Sequence, residues 1–291
     1  MTLIATNPPA LLDGIAGLAS RYDGFVLDVW GVIHNGVEPY PGVVDALERL
    51  HAGGKRVALL SNAPMRAEKV AQRIEKIGVP RELFQAVMTS GEEVWLNLLH
   101  RTDPFYAGLG SRCLFIGSPR HRNMLEGIGL TEAATPDEAD FILDTGPDDL
   151  DDACTAYRAT LEAAAARGLP MACANADLHV MHGDTLIACA GQLAKVYEEM
   201  GGKVRWHGKP HGSVYVACLD LLGIEDRSRI LCVGDSLRTD IAGANAAGLD
   251  ALLVAGGIHA AELGSPLDPG RVAALLEGKP RPKYVAPGLA W

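Results

Sequence analysis

The feature that most constrains this chain is a rhythm that starts, breaks off and resumes. From residue 24 to residue 100, short apolar runs alternate with helical patterns: GFVLD, a helix opening at Pro41-Gly42, RVALL, a helix over 66–78, QAVMT, and a helix over 91–100. This alternation predicts a parallel sheet with helices on both faces. Val43, Val44, Leu47 and Leu50 recur at helical spacing, as do Val70, Ile74 and Ile77, so each helix has one apolar face to lay on the sheet. A second, smaller α/β unit follows, with RCLFI at 112–116, a helix near 121–128, DFILD at 140–144, an Ala-rich helix at 151–167 and PMACA at 170–174. Then a helix at 212–222, RILCVG at 229–234, a helix at 238–247, ALLVA at 251–255 and KYVA at 283–286 resume the first rhythm. The expected organisation is a discontinuous domain of residues 1–103 and 204–291 interrupted by a unit of residues 104–203. The connectors are TDPFYAGLGS at 102–111 and GGKVRWHGKP at 201–210.

Length and composition agree with two domains and narrow the partners. The 291 residues are 48% hydrophobic, enough for a sizeable core. Acidic residues outnumber basic ones, 36 to 26, and no dense Lys/Arg run is present, so neither nucleic acid nor an anionic membrane surface is an expected partner. The longest apolar runs are about five residues, far short of a membrane span. The first residues, MTLIATNPPALLDG, lack the basic and unbroken apolar stretches of a secretory signal. Six cysteines, Cys113, Cys154, Cys173, Cys189, Cys218 and Cys232, are spread through apolar contexts without a Cys-x-x-Cys pair, as expected of reduced thiols in a cytoplasmic protein.

Four segments place chemistry at strand ends. Asp28 closes GFVLD and leads into Val29-Trp30-Gly31, which puts its carboxylate at the carboxyl edge of a parallel sheet, where ligands bind. Ser61 and Asn62 follow RVALL, where a hydroxyl and backbone N–H groups can hold phosphate. Lys209 lies in His207-Gly208-Lys209-Pro210 and offers a point charge. Gly234-Asp235-Ser236-Leu237-Arg238-Thr239-Asp240 follows another strand and brings two acids that could ligate a hard divalent cation. Singly, each has an ordinary alternative: a turn residue, a helix cap, a solvated lysine, a capped helix start. Jointly, in this order, they do not. Elsewhere His179 and His182, three apart, could meet on a helical turn, but with no third ligand they do not make a zinc site.

With these motifs the chain resembles the haloacid dehalogenase superfamily, specifically the class IIA branch with a type C2 cap inserted after the third core strand. The resemblance covers nearly the whole chain. VGDSLRTDIAGANAAGLDALLVAGG at 233–257 is its most specific stretch, and Cys173-Ala174-Asn175-Ala176-Asp177 is similar to the branch's Thr-Asn-x-Asp segment. The implied fold is a Rossmann-like parallel-sheet core with an inserted α/β C2 cap. The implied activity is Mg2+-dependent hydrolysis of a small organic phosphate, such as a sugar phosphate or nucleotide. The resemblance makes Asp28 the nucleophile that becomes an aspartyl phosphate. It assigns magnesium to Asp28, the Trp30 backbone carbonyl and Asp235, with Asp240 in support, and the phosphate oxygens to Ser61, Asn62 and Lys209. Asn175 and Asp177 are substrate-side candidates, and a homodimer formed through the cap is implied.

One position departs from the pattern. Two residues after the nucleophile, phosphatases of the superfamily carry a second Asp that serves as general acid and base; here it is Trp30. Loss of that group removes about 10² to 10⁴ of rate and hurts poor leaving groups most. His34, six residues beyond Asp28, and Asp177 are candidates for a replacement proton shuttle. Two other readings stay open: a dehalogenase or phosphonate-cleaving hydrolase using the same nucleophile, and a phosphate-binding or regulatory protein with impaired turnover.

Overall fold

A computed structural model describes residues 8–148, 153–182 and 185–291. In chain order the strands are β1 (Ala10–Leu11), β2 (Gly24–Asp28), β3 (Arg56–Ser61), β4 (Ala86–Thr89), β5 (Arg112–Ile116), β6 (Thr131–Glu132), β7 (Phe141–Asp144) and β8 (Pro170–Cys173). They continue with β9 (His179–His182), β10 (Thr185–Ala188), β11 (Lys203–Trp206), β12 (Ile230–Gly234), β13 (Asp250–Val254) and β14 (Tyr284–Ala286). A seven-stranded sheet runs β1-β14-β13-β12-β2-β3-β4, and a five-stranded sheet runs β11-β8-β7-β5-β6. The chain divides into two compact units, one of Met1–Leu60, Gln72–Val87 and Tyr215–Trp291, the other of Ser61–Ala71 and Met88–Val214.

In the first unit β2 lies mid-sheet, paired in parallel with β12 on one side and β3 on the other. Every residue of β2 and of β12 is buried, as expected for parallel strands covered on both faces. The chain leaves β2 toward β3 and β4, and later leaves β12 toward β13 and β14, so the connections diverge between β2 and β12. Such a switch point opens a crevice at the strands' carboxyl ends. Asp28 ends β2, and Gly234-Asp235 ends β12 and follows it. The helix Val43–Ala52 buries Val43, Ala46, Leu47 and Leu50, an i, i+3, i+4, i+7 stripe.

The second unit is built on the five-stranded sheet, whose side chains alternate between two cores. Leu114, Ile116, Ile142, Met171 and Cys173 pack with Leu161 and Leu193. Cys113, Phe141, Leu143 and Ala172 pack with Val94, Leu98 and Tyr106. Its connections diverge between β5 and β7, where Ile116 stands opposite Asp144.

Several expected elements take a different local form. The helix expected near 121–128 is a run of 3₁₀ turns over Pro119–Leu125, stopped ahead of Gly127 and Gly129, both at positive φ. The 238–247 segment is a wide π-type turn, Leu237–Ile241, followed by a short helix, Ala242–Ala246. His179 and His182 are not on a helical turn. They open and close β9, an extended strand that pairs antiparallel with β10. The side chains of His182 and Cys154 lie outside the described residues, as do Gly183-Asp184, residues 1–7 of the opening segment and the first two residues of the expected 151–167 helix. The connector 201–210 contains β11, which joins the five-stranded sheet beside β8.

Candidate active site

At the switch point of the seven-stranded sheet, Asp28, Asp235 and Asp240 are buried, and one carboxylate oxygen from each lies within 4.8 Å of the others. Local structure explains how three acids fit there. Gly31, in the loop after β2, has φ +85°, and a Cβ on it would overlap the Asp235 carboxylate; a Cβ on Gly257 would do the same from another side. Both positions need glycine for space, and Gly31 also for its backbone. Asp235 Oδ2 accepts the Ile258 N–H at 2.8 Å, Asp28 Oδ1 accepts the Val29 N–H at 2.7 Å, and Asp240 Oδ2 accepts the Ser236 N–H at 3.1 Å. The Ser236 side chain caps the following turn by accepting from Thr239 N–H, which places Asp240 one turn on, facing back toward the strand end. Behind it, the buried Tyr215 hydroxyl donates to the Asp240 carbonyl at 3.1 Å.

Trp30 and His34 shape the loop beside these acids. Their rings meet edge to face with centroids 5.4 Å apart, and a Cβ on Gly36 would overlap the Trp30 indole. His34 Nδ1 accepts the Gly36 N–H at 2.8 Å. Burial, with the Arg73 charge adding to it, pushes His34 down to about 4. With that value the ring is uncharged at neutral pH, and its Nδ1 is taken up in supporting the Trp30 turn.

In the second unit, Asn62 and Lys209 are joined. The Asn62 side chain accepts the Lys209 N–H at 2.7 Å and donates to the Lys209 carbonyl at 3.0 Å, fixing both polar backbone atoms of that residue. Gly208, at φ +89°, keeps this clasp open, since a Cβ there would press on Asn62 Oδ1 and Ser90. Ser61 Oγ accepts the Ala63 N–H at 3.2 Å. Ser61 does not cap the next helix, which starts only at Ala67; there Glu92 accepts the Ala67 N–H at 2.9 Å and pairs with Arg66. Asn175 and Asp177 form a turn of their own after β8: Asn175 Oδ1 accepts the Asp177 N–H at 2.8 Å, and the Asp177 carbonyl accepts the Gly191 N–H at 3.1 Å.

Sequence reasoning did not single out Gly31, Gly257 or Glu93. Glu93 is a buried acid in the first turn of the helix Ser90–His100, and next to Glu92 in the sequence it carries no local signal that sets it apart.

A parallel α/β sheet with an acid cluster at its switch point defines a class of hydrolytic fold, and comparison with known proteins gives the family. A model described as haloacid dehalogenase-like hydrolase matches residues 25–131, and a second HAD-like hydrolase model matches 206–291. A solved hydrolase of the haloacid dehalogenase-like family from Brucella suis is 32% identical, with a TM-score of 0.80 over 96% of this chain and 99% of that one. The chain belongs to the haloacid dehalogenase-like hydrolases, in the class IIA branch of that superfamily. It is 28% identical over 84% of its length to D-glycerol 3-phosphate phosphatase of Mycobacterium tuberculosis, and it spans 66% of that relative's length. The structure of a glycerol phosphate phosphatase from the same organism in complex with magnesium shares the fold, at 24% identity and a TM-score of 0.68 over 92% of this chain and 75% of that one.

Proposed function

We propose that this chain is a magnesium-dependent phosphohydrolase that cleaves a small organic phosphate, such as a sugar phosphate or nucleotide, through an aspartyl phosphate on Asp28. The observation that carries this reading is the cluster of Asp28, Asp235 and Asp240 at the switch point. Three buried carboxylates this close repel one another unless a cation or protons compensate them, and an all-oxygen donor set suits a hard ion. The residues therefore fit magnesium. Asp28, the Trp30 carbonyl and Asp235 would hold it, with Asp240 in support. When bound, the ion supplies charge neutralisation to the phosphoryl oxygens. The phosphatase names of the similar proteins, one of them in complex with magnesium, support the same reading.

In this reading a carboxylate oxygen of Asp28 attacks phosphorus. The bond from phosphorus to the leaving oxygen breaks, and that oxygen departs with the electron pair and takes up a proton from water. Water then attacks the aspartyl phosphate at phosphorus, the P–O bond to Asp28 breaks, and inorganic phosphate and the free carboxylate result. Ser61, the Asn62 backbone and Lys209 grip the phosphate oxygens, a task of positioning and charge. Trp30 brings no proton to the leaving group, so good leaving groups are favoured. Residues 104–203 act as a cap over a core of 1–103 and 204–291, and Asn175 and Asp177 contribute to substrate choice. The five-stranded sheet, whose strands run from Arg112 to Trp206, supports an inserted unit, with its end a few residues past 203 because β11 belongs to that sheet. A homodimer in the cytoplasm completes the proposal; the buried free thiols of Cys113, Cys173, Cys189, Cys218 and Cys232 support a reducing compartment, and no helix among the described residues is long and apolar enough to cross a membrane.

The test is hydrolysis of p-nitrophenyl phosphate and of an alkyl sugar phosphate, with and without magnesium, using Asp28→Asn as the blank. Aryl ester turnover that needs both magnesium and Asp28, with little alkyl turnover, is expected. No metal-dependent turnover of either ester overturns the proposal. In that case, phosphate-stabilised melting would point to the binding role that Trp30 favours, and metal-free release of halide to a dehalogenase.

A further inference from the structure

The backbone that carries Lys209 is held from a second direction. Glu93 Oε2 accepts the Gly208 N–H at 3.2 Å and lies 3.1 Å from Nδ1 of His207; Nε2 of His207 is 2.6 Å from the Tyr106 hydroxyl. All three side chains are buried, with Tyr106 at 0% exposure, His207 at 2% and Glu93 at 3%. Burial works to raise Glu93, but His207, Ser213 and the Gly208 N–H bring its carboxyl below the usual range, so it stays ionised. Burial and the Glu93 charge push the Tyr106 phenol well above its ordinary range. The phenol therefore keeps its proton and shares a hydrogen bond with Nε2, while Nδ1 is the nitrogen that faces Glu93.

Buried polar groups like these are a costly filling for a core that an apolar trio could pack. Among the described residues, Glu93 Oε1 has no hydrogen-bond partner and His207 Nδ1 meets Glu93 Oε2 at 3.1 Å without hydrogen-bond alignment, so the arrangement is not tuned for the greatest stability. Its geometric result is that two successive peptide N–H groups have fixed acceptors, Gly208 on Glu93 and Lys209 on Asn62. We propose that Tyr106, His207 and Glu93 are positioning residues, a buried brace that acts through Gly208 to aim the Lys209 ammonium. This inference rests on the phosphatase reading, in which Lys209 grips phosphate.

The test compares Tyr106→Phe, Glu93→Gln and Glu93→Leu by kcat and KM on p-nitrophenyl phosphate, competitive inhibition by inorganic phosphate, half-saturation by magnesium, and melting temperature. Tyr106→Phe is expected to lower kcat/KM and weaken phosphate inhibition together, by about tenfold, the effect of one lost buried hydrogen bond. Magnesium half-saturation stays unchanged, because the brace does not act on the carboxylates. Glu93→Gln keeps an acceptor for Gly208 and is expected to retain most activity, whereas Glu93→Leu is expected to lose at least about tenfold. A lower melting temperature with unchanged phosphate inhibition and kcat/KM per folded molecule, in Tyr106→Phe as in the Glu93 variants, overturns the brace and leaves the phosphatase reading standing. A parent protein that neither turns over the ester nor binds inorganic phosphate overturns both.

Discussion

Two strands of this molecule end almost alike, FVLD at 25–28 and FILD at 141–144, and the two ends differ chemically. Each belongs to a parallel sheet, each is buried, and each places its Asp at the point where that sheet's connections diverge. Asp28 is joined there by Asp235 and Asp240, with Gly31 and Gly257 making room for the extra carboxylate. Asp144 has no such company. Its Oδ1 accepts the Gly146 N–H at 2.9 Å, its Oδ2 has no partner among the described residues, and burial pushes it up to about 8. A strand-end acid at a switch point is therefore only a location. The facing strand decides whether it becomes a site: opposite Asp28 the chain supplies Gly-Asp-Ser, whereas opposite Asp144 it continues into Gly117-Ser118.

The most direct way to break this contrast is to treat both ends identically. Asp28→Asn should lower turnover of p-nitrophenyl phosphate by at least about 10³-fold, since the nucleophile is lost. Asp144→Asn should leave kcat within about twofold, the range of a change outside the site. Comparable losses in the two variants would mean that the second edge is also catalytic. Next in size, Asp235→Asn should raise the magnesium needed for half-maximal activity by about tenfold or more, because the amide keeps the volume between Gly31 and Gly257 but not the charge. An unchanged magnesium requirement would remove Asp235 from the metal's ligands.

The contrast also shows what could be read in advance. The parallel sheets, the interrupted order and the acids at 28, 235 and 240 were legible because periodicity and strand-end position are local properties of sequence. Residues whose meaning depends on a distant partner were not. Glu93 becomes a hydrogen-bond acceptor only because Gly208, far along the chain, is folded against it. Gly31 is informative only once Asp235 is beside it. His34 was one candidate proton carrier by its place in the loop after Asp28, and burial and Arg73, neither visible in the local sequence, set its charge state.

The two edges should also respond differently to pH. Asp144 is raised in the folded protein to about 8 from the ordinary 3.8, so between those values the folded state holds a proton that the unfolded state has lost. Its contribution is fully present below about pH 4 and is lost as pH rises through about 8. Asp144→Asn keeps the acceptor for Gly146 and cannot ionise. It should raise the melting temperature at pH 8 by several degrees, for roughly 2 kcal/mol or more recovered, and change it little at pH 4. Equal shifts at both pH values would mean that Asp144 does not carry a raised value.

His34 gives the opposite slope and a smaller effect. Its folded value of about 4 lies below the ordinary 6.5, so the unfolded chain takes up the proton first as pH falls. Stability tied to His34 is present above about pH 6.5 and is lost as pH drops toward 4. His34→Gln removes the titration and should flatten the acid limb of the stability curve by about 1 to 2 kcal/mol between pH 6.5 and 4.5. The same variant sharpens the functional side of the comparison. A ring that is neutral at pH 7, with Nδ1 accepting from Gly36, is a poor acid for a leaving group. The pH profile of kcat between 6 and 9 should therefore keep its shape in His34→Gln. A lost limb in that range would return His34 to the proton path and make the Trp30 loop, rather than water, the source of the leaving group's proton.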